Sequence, residues 1–160
     1  MTERANALAG RLEQGAQALV SFTSDLTDEE WQTPVGTDRR TVGVVVHHVA
    51  SLYPLQIRLA QLLASGKPVT GITWDAVHQM NADHAFEFAD VTRPEALYLL
   101  VRNSIAAAAA IRALTGPELD RAAPVSLNAD APLTCQFLLE DHAIRHSYHH
   151  LARIQTTLTT

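Results

Sequence analysis

The spacing of apolar side chains along this chain predicts helix almost throughout. Leu8, Leu12, Ala16, Leu19 and Phe22 recur at three- and four-residue intervals, one face of a helix over about residues 3–23. Thr27-Asp-Glu-Glu30 is a capping-box pattern that opens a short helical turn through Trp31, before Pro34 and Gly36 end it. A second long helix runs from about Thr41 to Ser65, where Gly66 and Pro68 stop it. Thr92-Arg-Pro-Glu95 is another capping box and opens a third, through about Leu114 to the break at Gly116-Pro117. The fourth extends from about Pro132 to Leu158, with Asp130 or Ala131 near its cap. A long connector, Gly66 to Val91, separates the second helix from the third, and a short helix fits within it around residues 74–85. No segment reads as a strand, and no repeat or second domain is visible. The expected architecture is all-α, with residues 1–160 forming one four-helix-bundle domain.

Composition narrows the class. Hydrophobic residues make up 47% of the chain, enough for a real core, and Lys+Arg 12 against Asp+Glu 17 leaves no basic patch for nucleic acid. Cys135 is the only cysteine, so no intrachain disulfide is possible. The N-terminus lacks a signal peptide's apolar core, and no apolar run is long enough to span a bilayer. A cytoplasmic protein without a membrane or nucleic-acid partner is expected.

The candidate chemistry lies in the histidines. There are eight, and they include the adjacent pair His47-His48 and the cluster His142, His146, His149 and His150. On the second helix, Val44, Val45, Leu52, Leu55, Leu59, Leu62 and Leu63 all fall within roughly 60° of His48, so His48 sits in the apolar stripe. His47 falls on the other side, toward Ser51 and Arg58, near solvent or at the edge of a site. On the fourth helix, Leu139, Ala143, His146, His150 and Ile154 share a stripe, with His142 and His149 on its flank. One inward histidine is ordinarily a core residue bonded to a carbonyl. Three are harder to satisfy among apolar neighbours, and a shared metal satisfies them together. His48, His146 and His150 are therefore the expected metal ligands, leaving open positions of the kind catalytic sites keep. Three neutral imidazoles suit Zn, Ni, Fe or Mn.

The levels of these residues constrain topology. His48 lies roughly 10 Å from the start of its helix, and His146 and His150 roughly 20–27 Å from the start of theirs. They meet only if the second and fourth helices are antiparallel. The second and third must then be parallel, joined by a crossover, and the Gly66–Val91 connector is long enough to be one. Other candidates are weaker. Cys135 is roughly 16 Å along the helix from His146 and reads as a small core residue. His78 and His84 read as solvated connector residues unless the crossover folds over the metal end. Trp31 and Trp74 read as packing under loops, and no carboxylate, Glu140 and Asp141 included, stands out as a general base.

The segments Leu26-Thr-Asp-Glu-Glu-Trp31, Arg40-Thr-Val-Gly-Val-Val-Val-His-His-Val-Ala50 and His146-Ser-Tyr-His-His-Leu-Ala-Arg-Ile154 also carry a resemblance. Together they resemble the DinB/YfiT-like superfamily of metalloenzymes, over nearly the whole chain. The resemblance implies a four-helix bundle with a crossover. It implies a divalent metal held by one histidine of the second helix and an HxxxH pair of the fourth: again His48, His146 and His150. It further implies thiol-dependent transferase or isomerase activity, with a low-molecular-weight thiol as cosubstrate. A metal that deprotonates a thiol or water to attack an electrophile makes an S-transferase or hydrolase acting on a small molecule the expectation. Here Leu-Ala-Arg-Ile follows the last histidine where the family more often has Arg-Gly-Gln-Ile, which leaves the ligands intact and the substrate class open. A non-enzymatic metal-binding or stress-response protein of the same fold is the alternative, and a metal-free bundle a weaker third. Family members often dimerise. The apolar faces of the third helix (Leu97, Leu100, Val101, Ile105, Ala108–Ala110) make a homodimer the expectation for this chain.

Overall fold

The computed structural model describes residues 1–160. Its long elements are helices α1 (Glu3–Ser24), α3 (Val42–Ala64) and α5 (Arg93–Arg112) and a C-terminal helix in two named parts, α7 (Cys135–Leu138) and α8 (Arg145–Leu158). A π-helical stretch, Leu139–Ile144, joins α7 to α8 without a break. Shorter helices are α2 (Asp28–Trp31), α4 (Trp74–Glu87) and α6 (Gly116–Asp120). Each of α1 to α7 starts on a threonine whose hydroxyl accepts from the backbone N–H three residues on: Thr2, Thr27, Thr41, Thr73, Thr92, Thr115 and Thr134. That bond satisfies one of the donors a helix start leaves free.

Three sequence expectations need correction. Two antiparallel hairpins are present, β1 (Pro34–Val35) with β2 (Arg40–Thr41) and β3 (Ala122–Val125) with β4 (Ala131–Thr134). Their strands are too short, and β3–β4 too rich in Ala and Pro, to show an alternating pattern. The last helix consequently starts at Thr134, because Asp130 and Ala131 belong to the hairpin, whose turn places Ala129 and Asp130 at positive φ. Gly116-Pro117 does end α5, but as the first turn of α6, with Thr115 and Glu118 forming a capping box.

Contacts fix the directions. Trp31 packs against Gly43 at the start of α3 and donates from its indole to the Val91 carbonyl, 3.1 Å away, just before α5. The two helices thus start at the same end and run parallel. A Cβ at Gly43 would collide with the Trp31 ring, so the close approach requires glycine. At the far end of α5, Arg112 donates to Asn6 in the first turn of α1 and pairs with Glu13 at its middle. The C-terminal helix runs against α3, since Gln56 bonds the His142 carbonyl while His48 meets His146. This is the four-helix bundle with a crossover between α3 and α5, and α4 is the helix within it.

Pro54 lies inside α3. It has no N–H, so the Ala50 carbonyl loses its intrahelical donor. Asn103 of α5 supplies one instead, its side-chain amide 2.9 Å away and buried. The core spans all the long helices, from Leu8, Leu12 and Leu19 through Tyr53 and Leu63 to Leu100, Ile111, Leu139 and Ile154. No helix is long and apolar enough to cross a membrane.

Candidate metal centre

His48 sits on the second turn of α3, and His146 and His150 lie one turn apart on α8. All three imidazoles meet in the bundle. His146 Nε2 is 3.1 Å from His48 Nε2 and 3.1 Å from His150 Nε2. No histidine, cysteine or carboxylate outside these three joins them as a cluster of potential ligand atoms.

Elementary hydrogen-bond chemistry makes this arrangement costly as it stands. A neutral imidazole nitrogen is either a donor or an acceptor, never both. His146 Nε2 therefore cannot bond both neighbours in complementary fashion. Protonation offers no escape, because burial and the neighbouring imidazoles hold His48 down to about 2 and His146 to about 3, with His150 lower still. All three are neutral with lone pairs available. Two Zn–N bonds of about 2.05 Å at tetrahedral to octahedral angles set nitrogens roughly 2.9–3.3 Å apart. The observed spacing fits a divalent ion.

The surroundings hold these rings in place. Gln56 of α3, 7% exposed, donates to the His142 carbonyl at 3.1 Å, and the same nitrogen lies 3.4 Å from His146 Nδ1. Arg153 Nη1 lies 3.5 Å from His150 Nδ1. The π-helical stretch ends immediately before α8, and such stretches gather at functional sites.

The chain belongs to the DinB superfamily. The family model matches residues 11–154. Among solved structures, the fold is similar to YfiT from Bacillus subtilis, described as a probable metal-dependent hydrolase with an unusual four-helix bundle topology. The two share 21% identity and a TM-score of 0.76, over 98% of this chain and 87% of YfiT. No curated protein matches.

Within this DinB fold, the other histidines divide sharply. His47 is buried at 7% exposure, not solvent-facing, because the crossover covers it. It stacks on Phe88, with ring centroids 4.0 Å apart, and its Nδ1 shares a 2.8 Å hydrogen bond with His84 Nε2. His84 is not a solvated connector residue. It sits on α4, its ring centroid 5.7 Å from that of His48, and burial lowers it to about 4. His78 lines a cavity of about 300 Å³ with Arg40 and Asp38. His142 is half-buried beside Asp141, and His149 is exposed. Cys135 is buried, its thiol pushed up to about 11 by burial, as befits a core residue. Glu140 pairs with Arg11 on the surface. Trp74 is 54% exposed, though its indole donates to the Leu127 carbonyl.

Sequence reading missed Gln56, Arg40, Arg153 and the role of His84. Gln56 had a weak signal, since it lies two turns after His48, roughly 80° round the helix at the margin of the apolar stripe. The other three depend on how the β1–β2 hairpin and the crossover fold back, which periodicity does not encode. A second, apolar cavity of about 250 Å³ lies between α3 and α4, lined by Leu52, Leu55, Leu59, Val77 and Met80, with Gln56 and His142 at its polar end.

Proposed function

We propose that this protein is a metal-dependent hydrolase acting on a small molecule, with His48, His146 and His150 as the ligands of one divalent ion. The observation that carries the reading is the convergence of three imidazole Nε2 atoms, on buried His48 and His150 and half-buried His146, with no adequate partners but one another. The likeness to YfiT, described as a probable metal-dependent hydrolase, supports the reaction class. An ion held by His48, His146 and His150 would supply Lewis acidity toward a water or a thiol. The chain's own residues do the rest. Gln56 and Arg153 pack against the Nδ1 edges of His146 and His150. His47, His84 and Phe88 stack together beside the centre, His84 against His48. The apolar cavity under α4 accommodates an apolar group of the substrate.

Thiol-dependent S-transfer would use the same ligands, with a low-molecular-weight thiol as cosubstrate. Assaying the zinc-, nickel-, iron- and manganese-loaded protein separates the two. Hydrolysis of activated esters and amides without added thiol, abolished by chelation and by His146→Ala, is the expected result. Turnover only with added thiol would establish transfer instead, and no metal-dependent turnover of either kind would favour the non-enzymatic alternative. Of the apolar α5 residues expected at a dimer face, Leu100 and Ala108 are instead buried in the core, and Val101 and Ile105 are exposed beside Tyr98. We place the enzyme in the cytoplasm as a homodimer joined through these exposed residues. Light scattering at micromolar concentration tests the dimer. The mass of two chains supports it, and that of one chain, unchanged on concentrating, rules it out.

A further inference from the structure

The side chain of Arg40, at the base of α3, is 11% exposed. Asp38 engages two of its nitrogens, Nε at 2.9 Å and Nη2 at 2.8 Å. The third, Nη1, is buried with no hydrogen-bond partner. A cationic N–H left that way is costly, which marks it as a donor awaiting an acceptor. Through Asp38 the guanidinium is tied to Arg153, whose Nη1 lies 3.5 Å from His150 Nδ1, so Arg40 sits one ion pair away from the centre.

Local charge points the same way. Asp38 is shared with Arg153, 3.6 Å from its other oxygen, so two guanidiniums and one carboxylate leave +2 − 1 = +1. The three-histidine group contains no carboxylate or thiolate to offset this charge. A divalent ion on them would raise the local excess to +3. A second buried atom beside the centre, His84 Nδ1, also lacks a partner. If His47 Nδ1 donates to His84 Nε2, His84 Nδ1 carries the proton and is a second free donor. The cavity of about 300 Å³ bordered by Arg40 gives a ligand room to enter.

We propose that the substrate is an oxyanion, a carboxylate or phosph(on)ate, whose charged group accepts a hydrogen bond from Arg40 Nη1 beside the three-histidine centre. This deepens the metal-site reading and rests on it for the neighbouring cation. The Arg40 contact itself does not require the ion.

Acetate and methylphosphonate serve as probes, titrated into the full chain with and without zinc and followed by NMR at the amides of Asp38–Thr41. The expected result is binding of at least one probe, tighter with zinc, and at least tenfold weaker in Arg40→Gln in both states. Arg40→Lys keeps a cation and guards against misfolding; it should also weaken binding, because one ammonium cannot serve Asp38 and the ligand together. Equal affinities in wild type and both variants, or no binding of either probe by the zinc-loaded wild type, would overturn the proposal. Arg40-dependent binding in a protein that takes up no zinc would sink the metal reading and leave this one standing. Zinc uptake with anion binding indifferent to Arg40 would do the reverse.

Discussion

At the scale of the residue, the centre depends on atoms that hold rings as much as on the rings. Had only helical phase mattered, His48, His146 and His150 would have sufficed, and phase did single them out from the sequence. It did so because each lies in a stripe of aliphatic neighbours, a pattern periodicity encodes directly. His47 was harder. Its phase is correct, away from the stripe, yet it is buried because Phe88 and His84 come over it from the crossover. Gln56 shows what such supporting residues do. It lies against His146 Nδ1, which carries the proton when Nε2 holds a metal, and its carboxamide oxygen, buried without another partner, is the acceptor that can turn to meet it. Loss of such outer contacts typically costs 10–100-fold in metal affinity, on the order of 1.4–2.8 kcal/mol. Gln56→Ala should therefore weaken zinc binding by about that factor while leaving the fold intact. Competition with a chromophoric chelator measures it, and unchanged affinity would show that Gln56 does not support the site.

At the scale of the element, the four long helices were legible and the joins between them were not. Threonine caps and aliphatic spacing mark α1, α3 and α5 to within two residues. The start of the last helix was misplaced because β3–β4 owes its existence to pairing between Ala122–Val125 and Ala131–Thr134, a non-local contact. Pro54 illustrates the reverse case, a local defect repaired at long range. Its missing N–H leaves the Ala50 carbonyl to Asn103, 53 residues away in sequence. Replacing Asn103 by alanine strands that buried carbonyl and should cost about 1–3 kcal/mol. Urea unfolding of Asn103→Ala against wild type gives the value. The double variant Pro54→Ala, Asn103→Ala should recover much of the loss by restoring the helical donor; no recovery would mean that Asn103 matters through its packing instead.

At the scale of the whole molecule, the crossover topology exists to bring an early turn of α3 to a late turn of α8, which an up-down-up-down bundle would hold apart. Buried neutral histidines then couple the fold to pH. In the metal-free protein, His48 is held to about 2, His146 to about 3 and His84 to about 4. In the unfolded chain they titrate near their ordinary value of about 6.5. Below that pH the unfolded chain takes up protons that the native state refuses, so stability falls as pH falls, and above it these groups contribute no slope. The melting temperature of the metal-free protein should hold from pH 8 to 7 and drop clearly by pH 5. A flat profile to pH 5 would mean that the three rings are not buried as described. The central claim, one ion on three named histidines, is tested most directly by elemental analysis of protein purified without a histidine tag or chelator. Wild type and His47→Ala should each carry close to one equivalent of divalent metal, and His48→Ala, His146→Ala and His150→Ala close to none. Metal retained by His48→Ala and lost from His47→Ala, or metal absent from the wild type after loading, would contradict the account.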